Sequence, residues 1–479
     1  MEQRRNPRRR VELGDWQTPG ELAREVVRTV AGRGVRPETV IEPTCGKGGL
    51  LVAARDRWRS AALVGYEVDP GHVQAARSAL PPPCEVRKAD FFALDWEAEL
   101  GRRREPLLVI GNPPWVTSAE LGALGSRNLP EKRSFDGLSG LDALTGRSNF
   151  DVSEWMLLRL LHALDGRRFV LAFLCKLSVA RRIMEHTARA RWNVEGELRA
   201  IDARECFGAA VDAVLLTVSS LDSSRPVGRG DLRWPAYASL SADAPSAVIG
   251  YVDGVSTPDV DACERTRHLA GRCDPEWRSG LKHDCSAVME FAVDGGRLRS
   301  RAGEVVDLEP DFVFPMMKGS DVVHGRWPPA RAVLVPQRSL GQQTDRIEAL
   351  APRTWRYLDE HRAALAARRS SVYARRPAFA VFGVGEYTFA PWKVAVAGLY
   401  KRLVFTLIGP QGGRPVVLDD TTYFLPFTTE AEARSAHEAL TSPAAAEFFN
   451  ARIFWDDKRP INKRVLQSLD LRTLEKKVR

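Results

Sequence analysis

Between residues 16 and 220 the chain repeats one pattern: a short apolar run, a loop marked by glycine or an acid, then a stretch with helical spacing. TVIEPTCGKGGLLVAARDRW reads as strand, glycine loop and helix, and AALVGYEVDPGHVQAARSAL as strand, acidic turn and helix. EVRKADFFAL and PLLVIGNPPW are strands that end in distinctive residues, WMLLRLLHAL has helical spacing, and RRFVLAFLCK and DAVLLTVSSL read as further strands. Alternation of this kind predicts an α/β sheet. The Pro- and Gly-rich SSRPVGRGDLRWP breaks the rhythm and marks a boundary near residue 225. Beyond it the pattern is less regular, with β-like runs such as PAFAVFGVGEYTFAPWKVAVAGLYKRLVFTLIG and a basic tail, so residues 226–479 read as a mixed α/β or β-rich module.

A chain of 479 residues with 44% hydrophobic and 27% charged residues has the length and composition of a soluble globular protein of two domains. No apolar run approaches the roughly 18 residues of a membrane span, and MEQRRNPRRR lacks an apolar segment after its arginines, so a cytoplasmic, nucleoid-associated protein without membrane contact is expected. The seven cysteines are scattered without a CxxC and are expected to be free thiols. CERTRHLAGRC with the later HDC fits no common zinc spacing, and no metal is expected. A net charge of +9 favours a polyanionic partner. Arg4, Arg5, Arg8, Arg9 and Arg10 form a basic arm over residues 1–15, and RRSSVYARRP a second cluster; either reads as solvated surface or as phosphate contacts.

Strands of an open α/β sheet deliver their C-terminal ends to one edge, where ligands bind in such folds. Glu42 and the loop PTCGKGG follow the first strand, Glu67 and Asp69 the second, Asp90 the third, and Asn112 to Trp115 the fourth. The loop is neither GxxxxGK[ST] nor GxGxxG, yet Gly46, Gly48 and Gly49 permit close backbone approach to a ligand. A carboxylate such as Glu67 can accept from both hydroxyls of a ribose, and Asp90 from an adenine amino group, so the ligand implied carries a nucleoside. Singly, each acid reads as a helix cap or a surface group. In NPPW the prolines fix φ, end the ladder and restrict Asn112, making a rigid bracket around an amide, a carbonyl and an aromatic ring.

WQTPGELAREVV, IEPTCGKGGLL, VGYEVDP, KADFFALDW and VIGNPPWV stand in the order and spacing of S-adenosylmethionine-dependent amino-methyltransferases. The chain resembles the gamma-type DNA adenine-N6 enzymes of restriction-modification systems. The resemblance covers about residues 15–220 motif by motif and the rest by architecture alone. It implies a Rossmann-like class I methyltransferase sheet over residues 16–225, followed by a target-recognition, DNA-binding domain over 226–479. Thr18 and Pro19 would lie beside the cofactor, Glu42, Thr44 and Gly46 around its methionine part, Glu67 at the ribose and Asp90 at the adenine. Cys45, inside the loop, need only be small. Asn112 and the Pro113 carbonyl would activate the target amine, with Pro114 completing the bracket and Trp115 stacking on a flipped base. Phe207, in ECFGAAVDAVLLTV, is either a second base-stacking ring or a core Phe, and Asn149 and Asp151 in SNFDVSEW would line the cofactor.

In the second half, Lys282 and His283, Lys318, Arg338 with Gln337, Gln342 and Gln343, and Lys393 with Lys401 are candidates for base or phosphate contacts. LDDTTYFLPF is unaccompanied by a PD(D/E)xK arrangement, so modification without cleavage is expected, with any restriction endonuclease encoded separately. The alternatives are transfer to cytosine N4, to RNA or to protein glutamine, or a binding relative without catalysis. SPPW is the commoner form in cytosine N4 enzymes, and glutamine enzymes are usually smaller. Loss of catalysis would leave damage in the glycine loop or the bracket, and both are intact.

Overall fold

The apolar runs become strands because parallel neighbours covered on both faces must be apolar throughout. The computed structural model describes residues 17–117, 151–220, 231–252 and 254–478, and Asn149 lies outside them. Two units divide at Val260. In the first, β1 (Thr39–Glu42), β2 (Ala62–Glu67), β3 (Glu85–Lys88), β4 (Leu107–Gly111), β5 (Phe169–Lys176), β6 (Val194–Ile201) and β7 (Ala213–Ser220) are joined by β8 (Leu232–Tyr237), β9 (Ala247–Val252) and β10 (Val255–Thr257). The order is β10-β9-β8-β6-β7-β5-β4-β1-β2-β3, with β7 antiparallel to both β5 and β6. This is the Rossmann-like class I methyltransferase sheet, extended at one edge by three strands.

Strand order reverses between β1 and β4, which pair in parallel with Ile41 opposite Val109. Glu42 and Asn112 therefore leave the same sheet edge at the topological switch point, where open α/β sheets bind ligands. Helix α1 (Gly20–Gly32) buries Leu22, Ala23, Val26, Val27, Val30 and Ala31, one stripe at helical spacing, in the core that also holds Leu50, Leu51, Leu108 and Ile110. Helix α2 (Gly49–Arg57) follows the glycine loop, and α3 (Pro70–Ala79) starts at Asp69, whose side chain accepts from the Gly71 and His72 N–H groups.

The boundary lies at Val260 and not near residue 225. β8 pairs with β6 through Leu198–Ala236 and Arg199–Tyr237, so the sheet resumes beyond the Pro- and Gly-rich stretch. Pro235 is accommodated within β8, opposite Val248 of β9. The second unit holds two sheets. One has the order β11 (Arg278–Ser279), β20 (Thr422–Phe427), β17 (Trp392–Ala397), β18 (Phe405–Ile408). The other runs β14 (Val305–Val306), β13 (Arg297–Arg299), β12 (Glu290–Asp294), β16 (Arg331–Leu334), β15 (Val313–Met317), β19 (Val417–Leu418). With helices such as Glu430–Leu440 packed in, this is a mixed α/β module. Among the described residues, no helix is long and apolar enough to cross a membrane.

Candidate functional site

Three loops at the switch-point edge are fastened together by side chains. Gly46 takes a positive φ of 53°, and its N–H donates to Glu67 Oε2 at 2.8 Å. Glu67 Oε1 accepts from the Asp69 N–H at 2.8 Å, so this carboxylate ties the glycine loop to the turn after β2. Gln17 Oε1 accepts from the Lys47 N–H at 3.0 Å, and the Asn112 amide nitrogen donates to Thr18 Oγ1 at 3.3 Å. The Gln-Thr-Pro segment thus joins the glycine loop to the bracket after β4. Pro19 is exposed and sits at the start of α1, its carbonyl accepting from Ala23.

Glu42 is buried, and one of its oxygens, Oε2, is shielded from solvent without a hydrogen-bond partner. Burial pushes its pKa well above the usual carboxylate value, partly offset by the Leu51 N–H and reinforced by the nearby charge of Glu67. A carboxylate in that condition is relieved by a cation or a donor. Thr44 Oγ1, two residues on, is also shielded and without a partner. Cys45 is buried against Gly65, where an added Cβ would lie 2.9 Å from its sulfur, so its place requires a small side chain. Asp90 is exposed and spends Oδ1 on the Phe92 N–H at 2.9 Å. As a cap it still has a second oxygen able to accept.

The bracket is more deeply built than its sequence suggests. Trp115 is buried, its indole N–H donating to the Leu174 carbonyl at 3.2 Å. Phe207, also buried, meets it edge to face with ring centroids 5.2 Å apart. Neither ring is an exposed platform for a base; the pair belongs to the core behind Asn112, and this corrects the expectation for Trp115 while favouring the core reading of Phe207. Pro113 is buried and Pro114 half-buried. Asp151 is buried too, bonded to Ser153 and, through Oδ2 at 2.8 Å, to Lys176 Nζ; it caps a helix and is committed to protein partners.

The second unit separates its nominated residues. His283 is buried, with Nε2 3.1 Å from Glu290 and Nδ1 accepting from the Cys285 N–H, and Lys393 is 1% exposed near the start of β17. Gln337 is buried and bonds both ways with the backbone of Val381. These three are structural and are not available to a partner. Lys318 pairs with Glu290 at 2.6 Å and Lys282 with Asp284 at 3.4 Å. Arg338 and Lys401 are exposed.

The sequence matches no protein-family model. It is 38% identical over 479 residues to the type II methyltransferase M.NspV of Nostoc sp., covering 98% of each chain. A shorter stretch of 114 residues is 29% identical to the type II methyltransferase M.CvrRI of Paramecium bursaria Chlorella virus XZ-6E, covering 24% of this chain and 27% of that one. Another of 110 residues is 28% identical to the type II methyltransferase M.XamI of Xanthomonas campestris pv. amaranthicola, covering 23% and 21%.

Proposed function

The chain belongs to the type II methyltransferases, and from that premise we propose that it transfers a methyl group from S-adenosylmethionine to the N6 amino group of an adenine within a fixed sequence of duplex DNA. The observation that carries this reading is the clasp in which Thr18 joins Asn112 while its neighbour Gln17 joins the glycine loop, at the switch point of the sheet.

The residues present suit the cofactor. Glu42, buried with a partnerless oxygen, suits the α-ammonium of its methionine part, with Thr44 beside it. Gly46 lets its loop take a positive φ with Gln17 packed against it, Glu67 suits the ribose hydroxyls, and Asp90 the adenine amine. When bound, the cofactor supplies an electrophilic methyl group.

The remaining chemistry belongs to the bracket. The lone pair of an adenine amino group is conjugated into its ring, and the nitrogen becomes nucleophilic as it turns tetrahedral. With its amide nitrogen held by Thr18, Asn112 has its oxygen as the acceptor for one amino hydrogen, and the Pro113 carbonyl accepts the other. Pro113 and Pro114 fix these acceptors by limiting the backbone, and such placement is worth several kcal/mol of barrier. The proton leaves after methyl transfer, when the nitrogen has become acidic, so no strong base is required. The target atom is inaccessible inside a duplex, and the nucleotide is flipped out at a cost of about a few kcal/mol. The second unit finds the sequence, and a separately encoded restriction endonuclease is the expected partner in the cell.

The test is transfer of labelled methyl from S-adenosylmethionine to unmethylated duplex DNA, followed by nucleoside mass spectrometry. N6-methyladenine is expected. N4-methylcytosine would overturn the choice of acceptor, and label on RNA or protein alone would overturn the choice of substrate.

A further inference from the structure

Two arginines in the second unit, Arg338 and Arg414, lie against two phenylalanines and, among the described residues, have no carboxylate at ion-pair distance. The guanidinium of Arg338 lies 4.2 Å from the Phe389 ring centroid and 5.2 Å from that of Phe314. Arg414 shares the second of these rings, 4.9 Å from the Phe314 centroid, and the two rings are themselves 5.0 Å apart. Among the described residues, neither of these arginines nor Arg346 makes an ion pair within 4.0 Å of a carboxylate. Arg346 Nε is shielded from solvent and without a hydrogen-bond partner.

Two local devices hold the cluster in place. The Gln411 and Arg414 backbones bond in both directions, at 2.8 and 2.9 Å, around Gly412 and Gly413, both at positive φ. That tight two-residue turn sets the root of Arg414. The Arg338 N–H donates to Gln342 Oε1 at 2.6 Å, which fixes the loop bearing the other guanidinium. Partial desolvation of its otherwise exposed side chain, with the neighbouring charges of Arg414 and Arg346, holds the Arg338 guanidinium below its usual pKa, although Asp311 acts in the other direction. Like charges have been collected on stacked aromatic surfaces, an arrangement that fixes guanidinium planes and leaves their N–H edges to an anion.

We propose that Arg338 and Arg414 form a phosphate clamp that grips the sugar-phosphate backbone of the DNA duplex. It rests on the methyltransferase reading and deepens it, by separating a sequence-independent grip from the residues that read bases. A backbone phosphate is favoured over a base edge because two guanidiniums share one stacked aromatic pair and phosphate takes several charge-assisted donors at once.

The experiment is duplex binding by fluorescence anisotropy, over a range of potassium chloride concentrations, with two duplexes of unrelated sequence. The parent protein is compared with Arg338→Gln, Arg414→Gln and the double variant, with thermal midpoint and S-adenosylmethionine affinity measured on each. The expected result is a loss of about tenfold or more for the double variant, equal on both duplexes. The plot of log affinity against log salt should become shallower by about one for each phosphate that is no longer neutralised, with midpoint and cofactor affinity at parental values. Parental affinity and slope in the double variant would overturn the clamp while leaving the methyltransferase reading intact. A loss confined to one duplex would overturn it in favour of base reading. Failure of the parent protein to bind either duplex would overturn the DNA reading and the clamp together.

Discussion

The Asn112 amide nitrogen donates to Thr18 Oγ1 at 3.3 Å, across 94 positions of sequence. This contact orients the amide whose oxygen is assigned to the target amine, so Asn112 and Thr18 should separate in kinetics. Asn112→Ala is expected to lower kcat by about a thousandfold or more, the scale of losing a preorganised catalytic group, with the Kd for S-adenosylmethionine nearly unchanged. Thr18→Val keeps the shape and loses the acceptor, and is expected to cost about tenfold to a hundredfold in kcat, while Thr18→Ser restores it. Equal loss of cofactor binding and turnover in Asn112→Ala would remove its assigned role.

Glu42 is expected to trade stability for binding. Burial raises its folded pKa above the ordinary 4.5, so the folded state holds the proton more tightly than the unfolded chain does. The associated stability is complete below the ordinary value and is lost as pH rises through the raised one. Glu42→Gln should therefore stabilise the cofactor-free protein at pH 8 by roughly 1–3 kcal/mol, with the gain shrinking in acid. The same variant should bind S-adenosylmethionine far more weakly. Calorimetric melting with and without cofactor reads both effects, and unchanged cofactor affinity would contradict the role given to Glu42.

Gly46 combines a φ of 53° with an added Cβ that would lie 2.6 Å from Gln17 Oε1. Gly46→Ala should cost about 1–2 kcal/mol for the left-handed backbone and push away the side chain that accepts from Lys47. Loosening of the clasp is then expected to raise KM for the cofactor at least tenfold, more than the stability loss alone explains. Gln17→Ala relieves the collision, so the double variant should recover part of the stability but not the binding. Steady-state kinetics with urea denaturation on the single and double variants separates the two.

The place of Glu42, Glu67, Asp90 and Asn112 at one sheet edge was legible because strands buried on both faces announce themselves by continuous apolar runs, and parallel strands bring their ends to one edge. The clasp was not legible, since nothing local to Gln17 or Thr18 names Lys47 or Asn112 as partners. β6 is hard to see in sequence because VEGELRAI mixes charge with apolar residues, and its Glu197 is answered by Arg33 and Arg199 at 2.6 and 3.0 Å only in the fold. β8 is hidden by Pro235 and the polar stretch before it. Trp115 looks like a platform because a ring after two prolines is well placed for one, and only the Leu174 carbonyl and Phe207 reveal it as core. In the second unit, charge alone does not say whether a side chain faces solvent or core, and His283 and Lys393 are both buried.

Lys393 is the sharpest of these cases. Flanked by Trp392 and Val394 in β17, it is 1% exposed, and its ammonium lies 5.7 Å from the Phe424 centroid with the Ala390 carbonyl as acceptor. Burial pulls its pKa from 10.5 down to about 7. Between those two values the unfolded chain binds a proton that the folded protein does not, so stability rises with pH across that window. Lys393→Met fills a similar volume without the charge. The Ala390 carbonyl loses its donor at about 1 kcal/mol, but removal of the desolvated ammonium outweighs it, for a net gain of about 1–4 kcal/mol at neutral pH. The gain should be largest at and below pH 7 and fade toward pH 10.5, while duplex affinity stays parental because the side chain reaches no partner. Urea midpoints measured across that range, with anisotropy on the same samples, test both parts. Destabilisation at pH 7 would show the buried ammonium to be well satisfied in the fold and overturn the first part, and weaker DNA binding would make Lys393 a residue that meets the duplex after all.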